Sequence, residues 1–247
     1  MQETITLPSN GVFYESDFPI NLTIRSLTTS EEQLLYGSPV DSAIDAILKK
    51  CIVEPTNYPI NDLIPADKMY ILYKLRILSY GQEYNQMIFC PFCNYEGVTV
   101  LDLDTLPCEE LDDTKVRVPL KLTLPISKDV VELRVLTEQD YNNIKTRAQK
   151  LSKKLNLPYN QVEHKLRCAK QIKAVNGNKM DSFLAEKYYE SIPVKDMRYI
   201  QSALNSIKVG YQGHLDIVCP SCGREIVVPF EMTSEFLSPT FRDIDWN

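Results

Sequence analysis

The chain has 247 residues, with 27 Lys and Arg against 33 Asp and Glu, a formal net charge of -6. At 44% hydrophobic and 24% charged it has the balance of a globular protein with a dry core, and its mild acidity argues against a nucleic-acid binder, which carries a clustered basic face. No apolar run approaches the ~18–20 residues of a spanning helix, and the start MQETITLPSNG has neither the basic residues nor the apolar stretch of a secretory signal, so a cytosolic-type protein is expected.

In chain order, Ile5-Thr-Leu-Pro8 and Leu22–Thr28 predict a strand hairpin that ends in a capping box, Thr28-Thr-Ser-Glu31. Helices are expected over about 29–36, 41–51 and 66–79, the last opened by Pro65 and carrying Met69, Leu72, Tyr73 and Ile77 at helical spacing as a core stripe. Strand-like residues then flank Cys90 and Cys93, and the acidic run 102–113 reads as a solvated connection that could dock on a basic face. The second half begins again with Leu122-Thr-Leu-Pro125, Leu133–Thr137 and a capping box that has Asp140 in place of Glu. Helices are expected over about 138–154, 159–174, 181–190 and 195–206, with a turn at Asn176-Gly177.

Seven cysteines occur, and four form two CPxC units, Cys90-Pro-Phe-Cys93 and Cys219-Pro-Ser-Cys222. A two-residue spacer lets both thiolates of a unit face one ion, and two units complete the four-sulfur tetrahedron that zinc prefers. Asn94 and Gly223 follow the second cysteine of each unit, and both residue types tolerate the left-handed backbone needed to turn back. One structural Zn2+ per chain, held by Cys90, Cys93, Cys219 and Cys222, is the favoured reading. Two unlinked pairs or a thiol redox centre are the alternatives, the second disfavoured because both units run into β-rich segments rather than helices. Cys51, Cys108 and Cys168 read as small buried apolar residues.

Pro65 stands 25 residues before Cys90 and Pro193 stands 26 before Cys219, each opening a helix. The expected fold is therefore α+β and internally duplicated, each half a hairpin plus helices ending in a CPxC knuckle. The divisions are 1–107, an acidic linker 108–120, 121–234 and an aromatic tail 235–247. Catalytic equipment is sparse, with two histidines (His164 and His214) and no phosphate-cradling glycine loop, nucleophile elbow or HExxH helix. Nine basic residues between Lys145 and Lys173 read as a solvated helical face or a site for an acidic partner. In the tail, Phe236, Phe241 and Trp246 could contact a partner or pack onto the protein's own core.

The strings TLPSNGVFY, LTIRSLTTSEEQLLY, PADKMYILYKLRILSYGQEY and CPFC, followed by LRVLTEQDY and CPSCG, resemble the baseplate hub family of T-even-type contractile-tailed phages. The resemblance implies a non-enzymatic hub assembly factor that binds other hub and tail proteins in the host cytoplasm, with a hub component retained in the virion as the alternative. It implies no nucleic acid, no membrane span and no small-molecule substrate. A zinc-ribbon nucleic-acid accessory and a CPxC redox protein are the remaining alternatives.

Overall fold

The computed structural model describes residues 1–14, 17–37, 39–111, 116, 118–211, 213–229 and 234–238. Three antiparallel strands, β1 (Gln2–Thr6), β2 (Asn21–Arg25) and β3 (Ile52–Glu54), form the first sheet in that order. The two-residue side-chain period of β2 turns Leu22 and Ile24 inward, while Thr23 meets Thr4 across the outer face at 3.1 Å. Two short helical segments, α1 (Thr29–Glu32) and α2 (Leu34–Gly37), lead to α3 (Val40–Cys51), which buries Ala43, Ile47 and Cys51 on one stripe.

Helix α4 (Pro65–Tyr80) forms the spine of this first core. Pro65 takes the first helical position, where its missing N–H costs nothing. The expected stripe is only part of what is buried. Ile71, Leu72, Tyr73, Leu75 and Arg76 are all enclosed, whereas Met69 and Ile77 are half-buried, because α4 is wrapped on several sides rather than laid on one surface. The Arg76 guanidinium is accommodated by donating to the carbonyls of Gly81 and Glu83.

The hairpin of β4 (Glu83–Phe89) and β5 (Glu96–Asp102) follows, then the short β6 (Cys108–Glu109). The acidic stretch is not simply solvated: Leu111 is buried and donates its N–H to Pro8, and Asp104 faces Lys74 at 3.8 Å. Residues 112–113 lie outside the described residues.

A second sheet has the order β10-β9-β8-β7, from β7 (Leu120–Thr123), β8 (Val130–Leu133), β9 (Ile172–Val175) and β10 (Asn178–Lys179). Of α5 (Glu138–Leu155), α6 (Tyr159–Lys170), α7 (Ser182–Ser191) and α8 (Val194–Asn205), the last three pack with it, while α5 joins α6 through a separate apolar cluster. The helix expected over 159–174 stops at Lys170, because Ile172-Lys-Ala-Val175 pairs with β8 instead. Asn176 and Gly177, at φ 51° and 83°, then close the β9–β10 hairpin.

The chain's end returns to its beginning. Strand β11 (Gly210–Tyr211) pairs with β6, and β12 (His214–Val218) with β13 (Glu225–Pro229). Leu215, together with Phe236 and Leu237 of α9 (Ser234–Leu237), enters the first core. Phe236 thus packs against this protein's own Tyr73 and Tyr84, while Phe241 and Trp246 lie outside the described residues. The fold is α+β, and among the described residues no helix is long and apolar enough to cross a membrane.

Three local arrangements occur twice among the described residues. Arg25 pairs with Glu31 beside Thr28, and Arg134 with Asp140 beside Thr137. The third residue of α4 and of α8 is a fully buried Asp, Asp67 two residues after Pro65 and Asp196 three after Pro193, the N-cap of α8. Asp67 accepts from the Ser9 N–H and hydroxyl and from the Tyr14 hydroxyl, and Asp196 accepts 2.8 Å bonds from the Ile126 and Ser127 N–H groups. The third arrangement is the pair of cysteine turns.

Candidate metal centre

Each CPxC unit forms the turn of a two-stranded hairpin. In the first, β4 ends at Phe89 opposite Glu96; Cys90 N–H donates to the Tyr95 carbonyl at 2.9 Å, and Asn94 N–H donates back to the Cys90 carbonyl at 2.9 Å. In the second, Val218 is opposite Glu225, Cys219 N–H donates to Arg224 at 2.8 Å, and Gly223 N–H donates to Cys219 at 2.9 Å. Asn94 and Gly223 hold the required left-handed conformation, at φ 56° and 72°.

The inner faces of the two hairpins meet around Ile88, Ile226 and Val228, with Cys90 and Cys219 buried in the same cluster and Cys93 and Cys222 at its surface. Arg224 lies over the Phe92 ring, 5.0 Å from its centroid, joining one turn to the other. The four sulfurs converge. Cys90 Sγ is 3.8 Å from Cys222 Sγ, Cys93 Sγ is 3.8 Å from Cys219 Sγ, and all four lie within 4.8 Å of one another. Four thiolates at ~2.3 Å from a tetrahedral ion stand ~3.8 Å apart, so the donor set fits one metal ion. Both 3.8 Å contacts run between the hairpins.

The remaining cysteines differ from these four. Burial pushes the Cys51 thiol up to about 11 and raises that of Cys168. Cys51 and Cys168 are enclosed as read from the sequence, whereas Cys108 is only half-buried on β6, its thiol also pushed up to about 11 by burial. At Cys90, desolvation is outweighed by the N–H groups of Phe92 and Cys93 and by the neighbouring Cys93 and Cys219 thiols, which bring it down to about 7. Such a cluster offers an incoming cation a thiolate near neutral pH.

A family model described as T4 bacteriophage base plate protein matches residues 2–238. The chain belongs to that family. Searches of curated proteins and of solved structures found no match. Base plate proteins work inside a multiprotein particle, so other base plate proteins are the partners this chain meets. The surfaces available to them differ from those expected from the charge pattern. Six of the nine basic residues between Lys145 and Lys173 are engaged in ion pairs within the chain, among them Arg147 with Glu186, Lys165 with Glu190 and Lys173 with Glu132. Lys150, Lys153 and Lys154 have no ion pair among the described residues.

Two features were missed in the sequence. The buried Asp67 and Asp196 look like ordinary acidic residues of a helix's first turn, and their different spacing from Pro65 and Pro193 hides the position they share, the third residue of α4 and of α8. The outer face of β4–β5 also exposes Met87, Phe89, Val98 and Val100. Its signal was apolar residues on both faces of the strand, since Ile88 points the other way.

Proposed function

We propose that this base plate protein is a non-enzymatic hub assembly factor, a scaffold whose two cysteine hairpins are clamped by one structural Zn2+. The convergence of four sulfurs from hairpins more than a hundred residues apart supports it, in a chain of a base plate family. Four cysteine ligands close the tetrahedron and leave no open position for substrate, which suits stabilisation rather than turnover. Two-stranded hairpins with a small shared core are marginal on their own, and zinc contributes about 10 kcal/mol or more in comparable small sites, enough to hold them. We further read the recurring capped turn, Pro-initiated helix and cysteine hairpin as an internal duplication in which each copy supplies half the site.

In this reading the protein binds hub subunits in the host cytoplasm, holds them in register and lowers the barrier to assembly without bond chemistry. Retention in the finished baseplate is the second reading, favoured by the description of the family itself. Elemental analysis of protein purified without chelator should find one zinc per chain, lost in both Cys93→Ser and Cys222→Ser. Quantitative mass spectrometry of purified particles then separates the two roles: the assembly factor is absent from them, and a hub component is present at a fixed copy number. Protein without metal, or metal retained in both variants, defeats the clamp.

A further inference from the structure

The outer face of β4–β5 and the tip of the α5–α6 hairpin are opposites of one another in charge and alike in having an apolar centre. In the hairpin register Met87 faces Val98, and Phe89 and Val100 lie beside them on the same outward side. Glu83 and Asp102 face each other at one end of this patch, and Glu96 closes the other. The α5–α6 tip exposes Leu155, Leu157 and Tyr159. Asn156 turns the chain there at φ 52°, and the unpaired Lys150, Lys153 and Lys154 stand on the preceding turns of α5. The rest of the basic segment is neutralised internally, so these three lysines are the part of it left for a partner.

We propose that the α5–α6 tip of one copy docks on the outer β4–β5 face of a second copy, head to tail. Apolar burial supplies the attraction and the acid-against-base rims set the register, as in interfaces with an apolar core and charged rim. Because the two patches differ, the contact is heterologous and extends into a ring or a short open chain rather than a two-fold dimer. This does not depend on the assembly role.

Sedimentation of the full-length protein should show association at about 0.05 M salt that weakens at about 0.5 M, where rim charges are screened. Leu155→Asp with Leu157→Asp, and separately Met87→Asp with Phe89→Asp, should each sediment as monomers with unchanged circular dichroism. Mixed one to one, they retain one intact patch each and should form a complex that stops at two chains. A second set, Lys150, Lys153 and Lys154 changed to Glu against Glu83, Glu96 and Asp102 changed to Lys, should associate only when mixed. A wild-type chain that stays monomeric up to about 100 μM, at which even a weak contact would be populated, overturns the proposal. So does association that survives both apolar variants, or mixtures that fail to pair.

Discussion

Lys68 of α4 donates a 2.8 Å hydrogen bond to Glu138, the first residue of α5, and so ties the helix at the centre of the first core to the helix that opens the second layer. The same ammonium lies 2.8 Å from Asp45 of α3, and the Glu138 N–H donates to the Leu63 carbonyl at 2.8 Å beside it. Lys68 is mostly enclosed, so removing its charge leaves two partly buried carboxylates, Asp45 and Glu138, without their shared counter-ion. Lys68→Met should lower stability by about 2–3 kcal/mol in urea unfolding. Adding Asp45→Asn and Glu138→Gln should recover part of that loss.

Asp67 and Asp196 occupy the same helical position but answer differently to burial. Desolvation raises the Asp67 carboxyl despite its bonds from Ser9 and Tyr14. At Asp196 desolvation acts the same way, but the two backbone N–H groups outweigh it and the carboxyl is lowered. Asp196→Asn should therefore cost more than Asp67→Asn, by about 1–2 kcal/mol, since an amide satisfies rotatable hydroxyls more readily than two fixed N–H groups. Equal losses in a thermal or urea series would contradict this.

Glu31 sets part of the acid limit. Hydrogen bonds from Arg25 first and Thr28 second hold its carboxyl down at about 2, against an ordinary 4.5. A carboxyl lowered on folding contributes stability that is full above its unfolded value and is lost as pH falls toward the folded one. The wild type should weaken between about pH 4.5 and 2, and Glu31→Gln should be less stable at pH 7 but lose less over that window. Parallel acid limbs for the two proteins would show that Glu31 is not the titrating group.

Loading the cysteine cluster should release protons. Burial and its thiol neighbours push the Cys222 thiol up to about 11, so at neutral pH this thiol carries its proton until metal arrives. Zinc titrated into metal-free protein at pH 7 in weak buffer should liberate at least one proton per ion, and apparent affinity should fall steeply as pH drops. Binding that is indifferent to pH would place the ion elsewhere.

Gly210 tests how tightly β11 closes on α4. It sits at φ 73°, and a Cβ built there would stand 3.1 Å from the Ala66 carbonyl oxygen. Gly210→Ala should destabilise by about 1–3 kcal/mol through left-handed strain and this close approach, whereas Gly177→Ala, in an open hairpin turn, should carry the backbone cost alone.

Much of the architecture was readable where short-range physics decides it. The capping boxes at Thr28 and Thr137, the Pro-opened α4, the Asn176-Gly177 turn and the strands around both CPxC units follow from local residue chemistry. Convergence of the four sulfurs was legible because paired cysteines at that spacing have few other uses. What escaped depends on distant neighbours. Nothing near Gln171 announces that Ile172–Val175 will find β8, because that preference comes from the partner strand. Lys68 reads as a surface lysine until α3 and α5 close over it. The basic run 145–173 overstated the free positive charge, since its counterions come from Asp41, Glu132, Asp140, Glu186 and Glu190 as well as from Glu163 within it.

Because Leu215, Phe236 and Leu237 complete a core begun by Ile5 and Leu7, synthesis and folding are locked into an order. A chain still on the ribosome, emerging at about 5–20 residues per second, carries α4 with part of its wrapping missing and Cys90 and Cys93 without their partners. Convergence of the four sulfurs, closure of the first core and pairing of β6 with β11 all wait for the last sixth or so of the sequence. A half-made chain therefore lacks the second hairpin that backs the β4–β5 face, and only the finished chain presents that face on a closed core.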